Sequence, residues 1–140
     1  MSVLCIDGRD IAHIGVGIAE NGGDVWTFAD YTVHDARPED FLRIVTESLT
    51  PSMLPFTAIV AITGPGSATA LRTSLATVNT IAFARNLSLY GFAYDGVDAE
   101  GAFCDFLSRP RSLTFPLLLP VYANAPNITE SKKDALRRTL

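Results

Sequence analysis

Hydrophobic positions near the start of the chain follow the two-residue period of β-strands. Residues 3–7 are almost all apolar, and apolar residues alternate with smaller ones through residues 11–19. The turn signal Asn21-Gly22-Gly23 favours a tight hairpin, because glycine readily adopts the positive φ angles that such turns need. Residues 25–33 follow and are rich in aromatic side chains. The chain is therefore predicted to open with three antiparallel strands.

Beyond residue 37 the pattern changes to alternating helices and strands. Pro38-Glu39-Asp40 is a favourable first helical turn, and an apolar stripe at helical spacing continues to Leu49. Later segments predict a strand over 58–62, a helix over 68–85, a strand over 88–94 and a helix over 98–107. This order predicts an α/β fold, a mixed five-stranded sheet flanked by helices. It resembles a single ribonuclease-H-like lobe of the actin and sugar-kinase superfamily.

A glycine-rich turn joins the buried strand to the longest predicted helix. Glycine permits a sharp turn, and Ser67 is well suited to cap the first N–H groups of the helix. We therefore interpret Gly64, Pro65, Gly66 and Ser67 as a structural turn and cap. The alternative is a phosphate site at the helix N-terminus, although the lysine that a Walker A loop requires is missing.

The composition fits one soluble globular domain. The 140 residues are 48% hydrophobic and 19% charged, and the formal net charge of −4 disfavours direct binding to nucleic acid. No apolar run is long enough to cross a membrane, and no basic leader precedes an apolar core. Cys5 and Cys104 form no CxxC pair, so reduced thiols in a cytoplasmic protein are expected.

The C-terminal part of the chain has a different character. Residues 113–121 are apolar but contain Pro116 and Pro120, which indicates an extended segment rather than a central strand. Residues 128–140 are polar and basic, and they predict a frayed helix or a disordered tail. We therefore divide the chain into a lobe over 1–110 and an extended segment with a polar tail over 111–140.

Few residues suggest catalysis. Asp7, Asp10 and Asp24 lie in the opening strands and turns, where carboxylates commonly accept hydrogen bonds from nearby N–H groups. Asp7 and Asp95 both follow predicted strands, which leaves open a metal-dependent nuclease or phosphotransferase that uses this pair. The two histidines are not spaced as paired zinc ligands. We predict no metal site and no catalytic residue.

The stretch 64–92 resembles the TsaB (YeaZ) family of bacterial proteins, which are needed for the threonylcarbamoyladenosine modification of tRNA. The family shows a GPGS turn, then [FA]-T-G-L-R and an alanine-rich helix. This chain has Gly64-Pro65-Gly66-Ser67-Ala68-Thr69-Ala70-Leu71-Arg72 at that place. The opening Leu4-Cys5-Ile6-Asp7 resembles the family strand that ends in Asp-Thr-Ser. Residues 119–126 resemble the closing P-x-Y-L-R motif of the family.

The chain departs from the family pattern at several positions. Gly8-Arg9 stands where the family has Thr-Ser, Ala70 replaces the usual glycine, and Ala123-Asn124 replaces Leu-Arg. The length leaves room for one lobe, whereas full-length relatives resemble two lobes with a nucleotide cleft between them. The resemblance is therefore to a shortened form that lacks most of the second lobe, and no cofactor is expected.

The longest predicted helix presents two faces. One carries a stripe of larger apolar residues that should cover the sheet, and the other carries small side chains that allow a second helix to approach closely. The resemblance implies that this helix and the first helix dock TsaD, the catalytic subunit. The implied partner-binding residues are Phe41, Val45, Ala70, Thr73, Ser74, Thr77 and Ile81.

The resemblance implies a non-catalytic subunit that binds and stabilises a TsaD-like catalytic subunit in the threonylcarbamoyladenosine modification of tRNA. It also implies a TsaE-like ATPase as a further partner, a homodimer when TsaD is absent, and only indirect contact with tRNA. The chain itself is then not an enzyme. Two alternatives stay open: a homodimeric module whose role has drifted, and the nuclease or phosphotransferase relic that uses Asp7 and Asp95.

Overall fold

The structure is a computed structural model that describes residues 2–23, 25–49, 56–109 and 115–122. Strands and helices follow one another in the order predicted from the sequence. The strands are β1 (Ser2–Asp7), β2 (His13–Asn21), β3 (Trp26–Asp35), β4 (Phe56–Gly64) and β5 (Ser88–Ala93). The α-helices are α1 (Phe41–Leu49), α2 (Ala68–Arg85) and α3 (Ala99–Ser108).

The strands join one mixed sheet with the order β3-β2-β1-β4-β5. β2 pairs antiparallel with β1 and β3, whereas β4 pairs parallel with β1 and β5. The antiparallel half comes from the opening meander, and each parallel strand is reached through a helical crossover. The predicted α/β class, a mixed five-stranded sheet flanked by helices, is confirmed.

Alternate side chains of the central strands enter two separate cores. Leu4 and Ile59 belong to the core beneath α1 and α2 on one face of the sheet. Cys5 and Val60 belong to the core beneath α3 on the other face. Both faces of β1 and β4 are therefore buried, which explains why these strands are apolar runs rather than alternating ones.

The two cysteines are free, and Cys5 is fully buried. Burial raises the pKa of both the Cys5 and Cys104 thiols, which keeps them in the protonated and less reactive form.

Among the helices that the structure describes, none combines the length and the apolar character that crossing a membrane requires.

The turn between β2 and β3 is longer than the predicted tight turn. Asn21 pairs with Trp26, and the N–H of Gly22 donates to the carbonyl of Val25 (3.1 Å). Because the turn extends to Val25, β3 begins one residue later than predicted.

The helices lie close to their predicted positions. α2 covers residues 68–85 as predicted and ends at Asn86, whose left-handed φ of 54° stops the helix. The first turn of the first helix is instead a 3-10 turn, Pro38–Asp40, so α1 begins at Phe41. Proline favours the start of a helix, but it does not decide which helical hydrogen-bond pattern follows.

Residues 115–122, which we call the closing segment, lie against α2, along the edge strand β5 and beside the end of β4. They form neither helix nor strand, and the side chain of Leu118 is buried in the core beneath α1 and α2. This agrees with the predicted exclusion of a central strand. The predicted division at residue 110, the predicted tail over 128–140 and Asp24 lie outside the described residues.

Gly64 is the point where the closing segment meets the turn before α2. Its φ of 136° lies in the region that favours glycine, and a Cβ atom there would collide with the carbonyl oxygen of Val121. The N–H of Val121 donates to the carbonyl of Thr63 (2.8 Å), which holds the two backbones together. The closing segment passes this close because residue 64 has no side chain.

We expect Gly64→Ala to lower the free energy of unfolding by about 2–3 kcal/mol, because the new methyl group adds backbone strain and a collision. Urea denaturation followed by circular dichroism measures the change. Gly22→Ala is the matched control, since a Cβ atom at that position meets no atom within 4 Å. Equal stability of the two variants would contradict the close approach.

Candidate functional site

The carboxyl ends of the three parallel strands form one edge of the sheet. β1 ends at Asp7, β4 at Gly64 and β5 at Ala93. In open α/β sheets, ligands and catalytic groups gather at this edge. An open pocket of about 500 Å³ lies there, lined by Asp7, Arg9, Asp10, His13, Gly15, Val33, Pro65, Gly96 and Val97.

Arg9 holds both carboxylate oxygens of Asp7. Its Nε donates to Oδ1 (2.8 Å), and its Nη2 donates to Oδ2 (3.0 Å). Both side chains are largely buried, with exposed fractions of 15% for Arg9 and 17% for Asp7. The hydrogen bond to Asp7 is the main reason that the pKa of Arg9 is raised. Such a two-point pairing is among the stronger contacts a carboxylate can make, so Asp7 is committed to Arg9.

The same guanidinium reaches across the sheet to the end of β5. Its Nη1 donates to the carbonyl oxygens of Tyr94 (2.7 Å) and Gly96 (2.9 Å). The guanidinium carbon lies 5.2 Å from the centre of the Tyr94 ring, within the range of a cation–π contact. Arg9 thus connects the end of β1 to the loop after β5, across the intervening β4. From the sequence alone Arg9 stands out only as a departure from the family pattern; the available signal was a cation two residues after Asp7.

The nuclease alternative requires Asp7 and Asp95 as metal ligands. Asp95 is exposed and lies between the two residues whose carbonyls bind Arg9. A cation at Asp7 would have to share the carboxylate with a guanidinium that already binds both oxygens and would repel it. In the ranges that the structure describes, His, Cys, Asp and Glu side chains do not come together in a group of three that could hold a metal ion. The arrangement of Asp7 and Asp95 therefore does not support this alternative.

A second polar group surrounds His13 at the rim of the pocket. The imidazole Nδ1 lies 3.3 Å from Asp10, and Nε2 lies 3.2 Å from Asp35. Asp10 also accepts a hydrogen bond from the N–H of Ala12 (2.7 Å), and this bond is the main reason that the pKa of Asp10 is lowered. These side chains are well exposed, so the group is a solvated turn that contributes little to stability.

The turn at residues 64–67 holds the backbone of Arg9. The Oγ of Ser67 accepts a hydrogen bond from the N–H of Ala70 (3.3 Å), which places the cap where the sequence predicts it. The N–H of Ser67 donates to the carbonyl of Arg9 (2.8 Å), and a Cβ atom at Gly66 would lie 2.6 Å from that oxygen. Because Arg9 occupies this N–H group, the turn is better suited to structure than to phosphate binding.

The structure corrects most of the predicted partner-binding set. Thr73 and Thr77 are half-exposed on α2. The other five side chains are buried inside the chain and cannot reach a partner in this arrangement: Phe41, Val45, Ala70, Ser74 and Ile81. A charged substitution at Ile81, 7% exposed, would therefore disturb folding rather than test docking.

The small-residue face of α2 is used within the chain. α1 supplies the neighbouring helix, and its buried face shares a core with Ala70 and Ile81. The Oγ of Ser74 donates to the carbonyls of Leu71 (3.3 Å) and Gly8 (3.4 Å). The close approach that small side chains permit therefore brings α1 and the loop after β1 onto α2, and this packing covers Ala70, Ser74 and Ile81 but leaves Thr73 and Thr77 half-exposed.

The outer strip of α1 and α2 remains exposed, and we call it the helix-pair surface. It forms a shallow groove of about 410 Å³ lined by Leu42, Arg72, Thr73, Ala76, Thr77 and Thr80. The hydroxyls of Thr77 and Thr80 donate to the carbonyls of Thr73 and Ala76 (2.8 Å each), so their polar atoms are satisfied within the helix. Phe83, 91% exposed, continues the same side of α2. The surface is therefore more apolar than its threonine-rich sequence suggests.

Comparisons with known proteins identify the fold. No family model matches the chain, and no curated protein matches it. YeaZ from Pseudomonas aeruginosa aligns with a TM-score of 0.50 and 19% identity, over 66% of this chain and 43% of that chain. Thermus thermophilus RuvC aligns with a TM-score of 0.52 and 20% identity, over 66% of this chain and 64% of RuvC. The same RuvC in complex with a Holliday junction substrate gives 0.53 and 19%, with the same coverage.

These likenesses establish a fold that the chain shares with YeaZ and RuvC. About one residue in five is identical, which shows the fold and not the activity. The chain spans less than half of the YeaZ chain, at 43%, and less than two thirds of RuvC, at 64%. The YeaZ-like fold that the sequence resemblance implies is therefore supported, whereas membership of the family stays a prediction.

We expect Arg9→Met to lower the free energy of unfolding by about 3 kcal/mol, because it leaves the Asp7 carboxylate without its cation and two carbonyls without a donor. Thermal unfolding at neutral pH measures the loss. Arg43→Met is the matched control: the ion pairs of Arg43 with Asp40 and Glu47 are exposed, so their loss should cost less than about 1 kcal/mol. A similar loss in both variants would contradict the central position of Arg9.

Proposed function

We propose that this protein is a non-catalytic partner subunit that binds and stabilises a TsaD-like catalytic subunit in the threonylcarbamoyladenosine modification of tRNA. The sequence resemblance at residues 64–72 and the YeaZ-like fold support the proposal. The fold likeness alone would fit RuvC equally well, so the choice between them depends on the surface and on the chemistry of the strand ends.

The helix-pair surface is the observation that carries the proposal. Two adjacent helices present an exposed groove whose lining contains one charged residue, Arg72. Leu42 and Phe83 extend this apolar area into solvent. A pair of helices from another subunit can cover such a surface and complete a four-helix arrangement. Removing its apolar area from water favours the complex.

The strand-end edge supports placing the chemistry on the partner. Asp7, the acidic residue that ends β1, is held at both oxygens by Arg9. Transfer of the threonylcarbamoyl group to adenosine would then take place on the TsaD-like subunit. The formal net charge of −4 disfavours direct contact with tRNA, so the partner would hold the tRNA. A TsaE-like ATPase would join the same complex.

We expect the wild-type chain to co-elute with the TsaD-like protein of the same genome in size-exclusion chromatography after co-expression. Thr77→Arg and Thr80→Arg should each weaken this complex by about 30-fold or more, because a bulky charge would be forced into the centre of an apolar interface. Isothermal titration calorimetry measures the affinities. Thr27→Arg is the matched control, since Thr27 is exposed on β3 and does not line the groove.

Three other results would each have a distinct meaning. Failure of the wild-type chain to bind at micromolar concentration would contradict the proposed function. Binding that both α2 variants retain in full would contradict the helix-pair surface as the docking site. A stable homodimer that does not bind the TsaD-like protein would favour the alternative of a homodimeric module with a drifted role.

A further inference from the structure

The closing segment lies in a groove between α2 and the β5 edge of the sheet. Asn79 on α2 binds its main chain twice: Nδ2 donates to the carbonyl of Leu118 (3.0 Å), and the N–H of Leu118 donates to Oδ1 (2.8 Å). The main-chain N–H groups of Phe115 and Val121 donate to carbonyls of β5 (2.9 Å) and β4 (2.8 Å). The groove therefore holds the backbone of the segment at every third residue.

One side chain anchors the segment. Leu118 is only 4% exposed, and it lies over Gly91, where a Cβ atom would approach Leu118 Cδ2 to 2.6 Å. The anchor site thus exists because residue 91 has no side chain. The neighbours Leu117 and Leu119 point to solvent instead, with exposed fractions of 50% and 70%.

This combination of contacts is typical of peptide recognition. When a protein takes up an extended peptide, main-chain hydrogen bonds supply affinity and pockets for selected side chains supply specificity. None of the contacts described above depends on the covalent connection between the groove and the segment that fills it. An identical segment from elsewhere would make the same contacts.

We propose that the groove between α2 and the β5 edge of the sheet is a peptide-recognition site that can take up residues 115–122 of a second copy of this chain. The matching peptide is encoded by the chain itself, so exchange between two copies preserves every hydrogen bond and the Leu118 anchor. Five residues separate Arg109 from Phe115, and such a connection can span about 20 Å when extended. That reach allows a segment to enter the groove of a neighbouring copy.

The exposed side of the segment favours a second copy as the occupant. Four apolar side chains form a ridge that the closed chain leaves accessible to solvent: Phe115, Leu117, Leu119 and Val121. A cavity of about 350 Å³ between this ridge and β5 is also open. In an exchanged pair the two chains lie against each other, so the neighbouring copy can cover part of the ridge that the closed chain leaves in water.

The protein concentration decides whether the groove holds the chain's own segment (the closed form) or the segment of a second copy (the exchanged form). A short connection gives the chain's own segment an effective concentration on the order of millimolar in its groove. At micromolar concentration the wild-type chain is therefore closed and monomeric at this site. Exchange becomes measurable when the chain's own segment is weakened or when the concentration approaches the millimolar range.

This inference does not rest on the proposed function. Asn79 hydrogen-bonds the closing segment and is not among the residues that line the groove of the helix-pair surface. The test below contains no partner subunit, so its failure and the failure of TsaD binding are separate results.

The first experiment measures uptake of a fluorescent synthetic peptide that carries residues 115–122 between added lysines. The full chain with Leu118→Asp, whose own segment no longer fits the anchor site, should bind the peptide at least about tenfold more tightly than the wild type. Leu119→Asp is the matched control: it changes the neighbouring exposed residue and should behave as the wild type. Adding Gly91→Val to the Leu118→Asp chain fills the anchor site and should abolish binding.

The second experiment mixes two full chains with complementary defects. The Leu118→Asp chain keeps the groove, and the Gly91→Val chain keeps the segment, so a one-to-one complex should form in the mixture and be seen by native mass spectrometry. Each chain alone should stay monomeric at the same micromolar concentration. Circular dichroism checks the fold, and Leu118→Ser replaces Leu118→Asp if the aspartate variant is unfolded.

Two outcomes would overturn the proposal. Equal peptide binding by the wild type, the Leu118 variant and the Gly91 variant would show that the groove does not recognise the segment. Peptide binding without a complex in the mixture would show a recognition site whose occupant is not a second copy of this chain.

Discussion

The Arg9 guanidinium binds both oxygens of Asp7 and the carbonyl oxygens of Tyr94 and Gly96. These groups lie at the end of β1 and in the loop after β5, so one cation connects the ends of the two strands that flank β4. The carbonyl of Arg9 is held in turn by the N–H of Ser67 at the start of α2. The edge of the sheet where α/β proteins usually place their chemistry is here occupied by the chain's own ion pair.

The fold could be predicted because the strongest local signals agree with the tertiary structure. α2 has a capping Ser67 before it, no interior Gly or Pro, and Asn86 after it, so both of its ends were predictable. The start of β3 and the 3-10 turn before α1 were not. Both depend on which N–H group pairs with which carbonyl, and single residues determine that choice only weakly.

The candidate site was less accessible to sequence analysis, because it depends on contacts between distant residues. The apolar stripe of α1 and the small residues of α2 were correctly predicted as faces against which a helix can pack. These two faces pack on each other, which buries Val45 of α1 and Ile81 of α2. Helical periodicity shows that a face of the helix is buried, but it does not show which element packs against that face. Asn79 and Leu118 are 39 residues apart, so their pairing carries no local signal.

The loop after β1 also makes α2 and the strand ends a single mechanical unit. The side chain of Ser74 approaches Gly8 so closely that residue 8 has no room for a Cβ atom, and Ser67 binds the next residue, Arg9. A rotation or sliding of α2 therefore moves the backbone from which the guanidinium extends. Residues 8 and 9 thus form the contact through which α2 and the strand-end edge pack as one body.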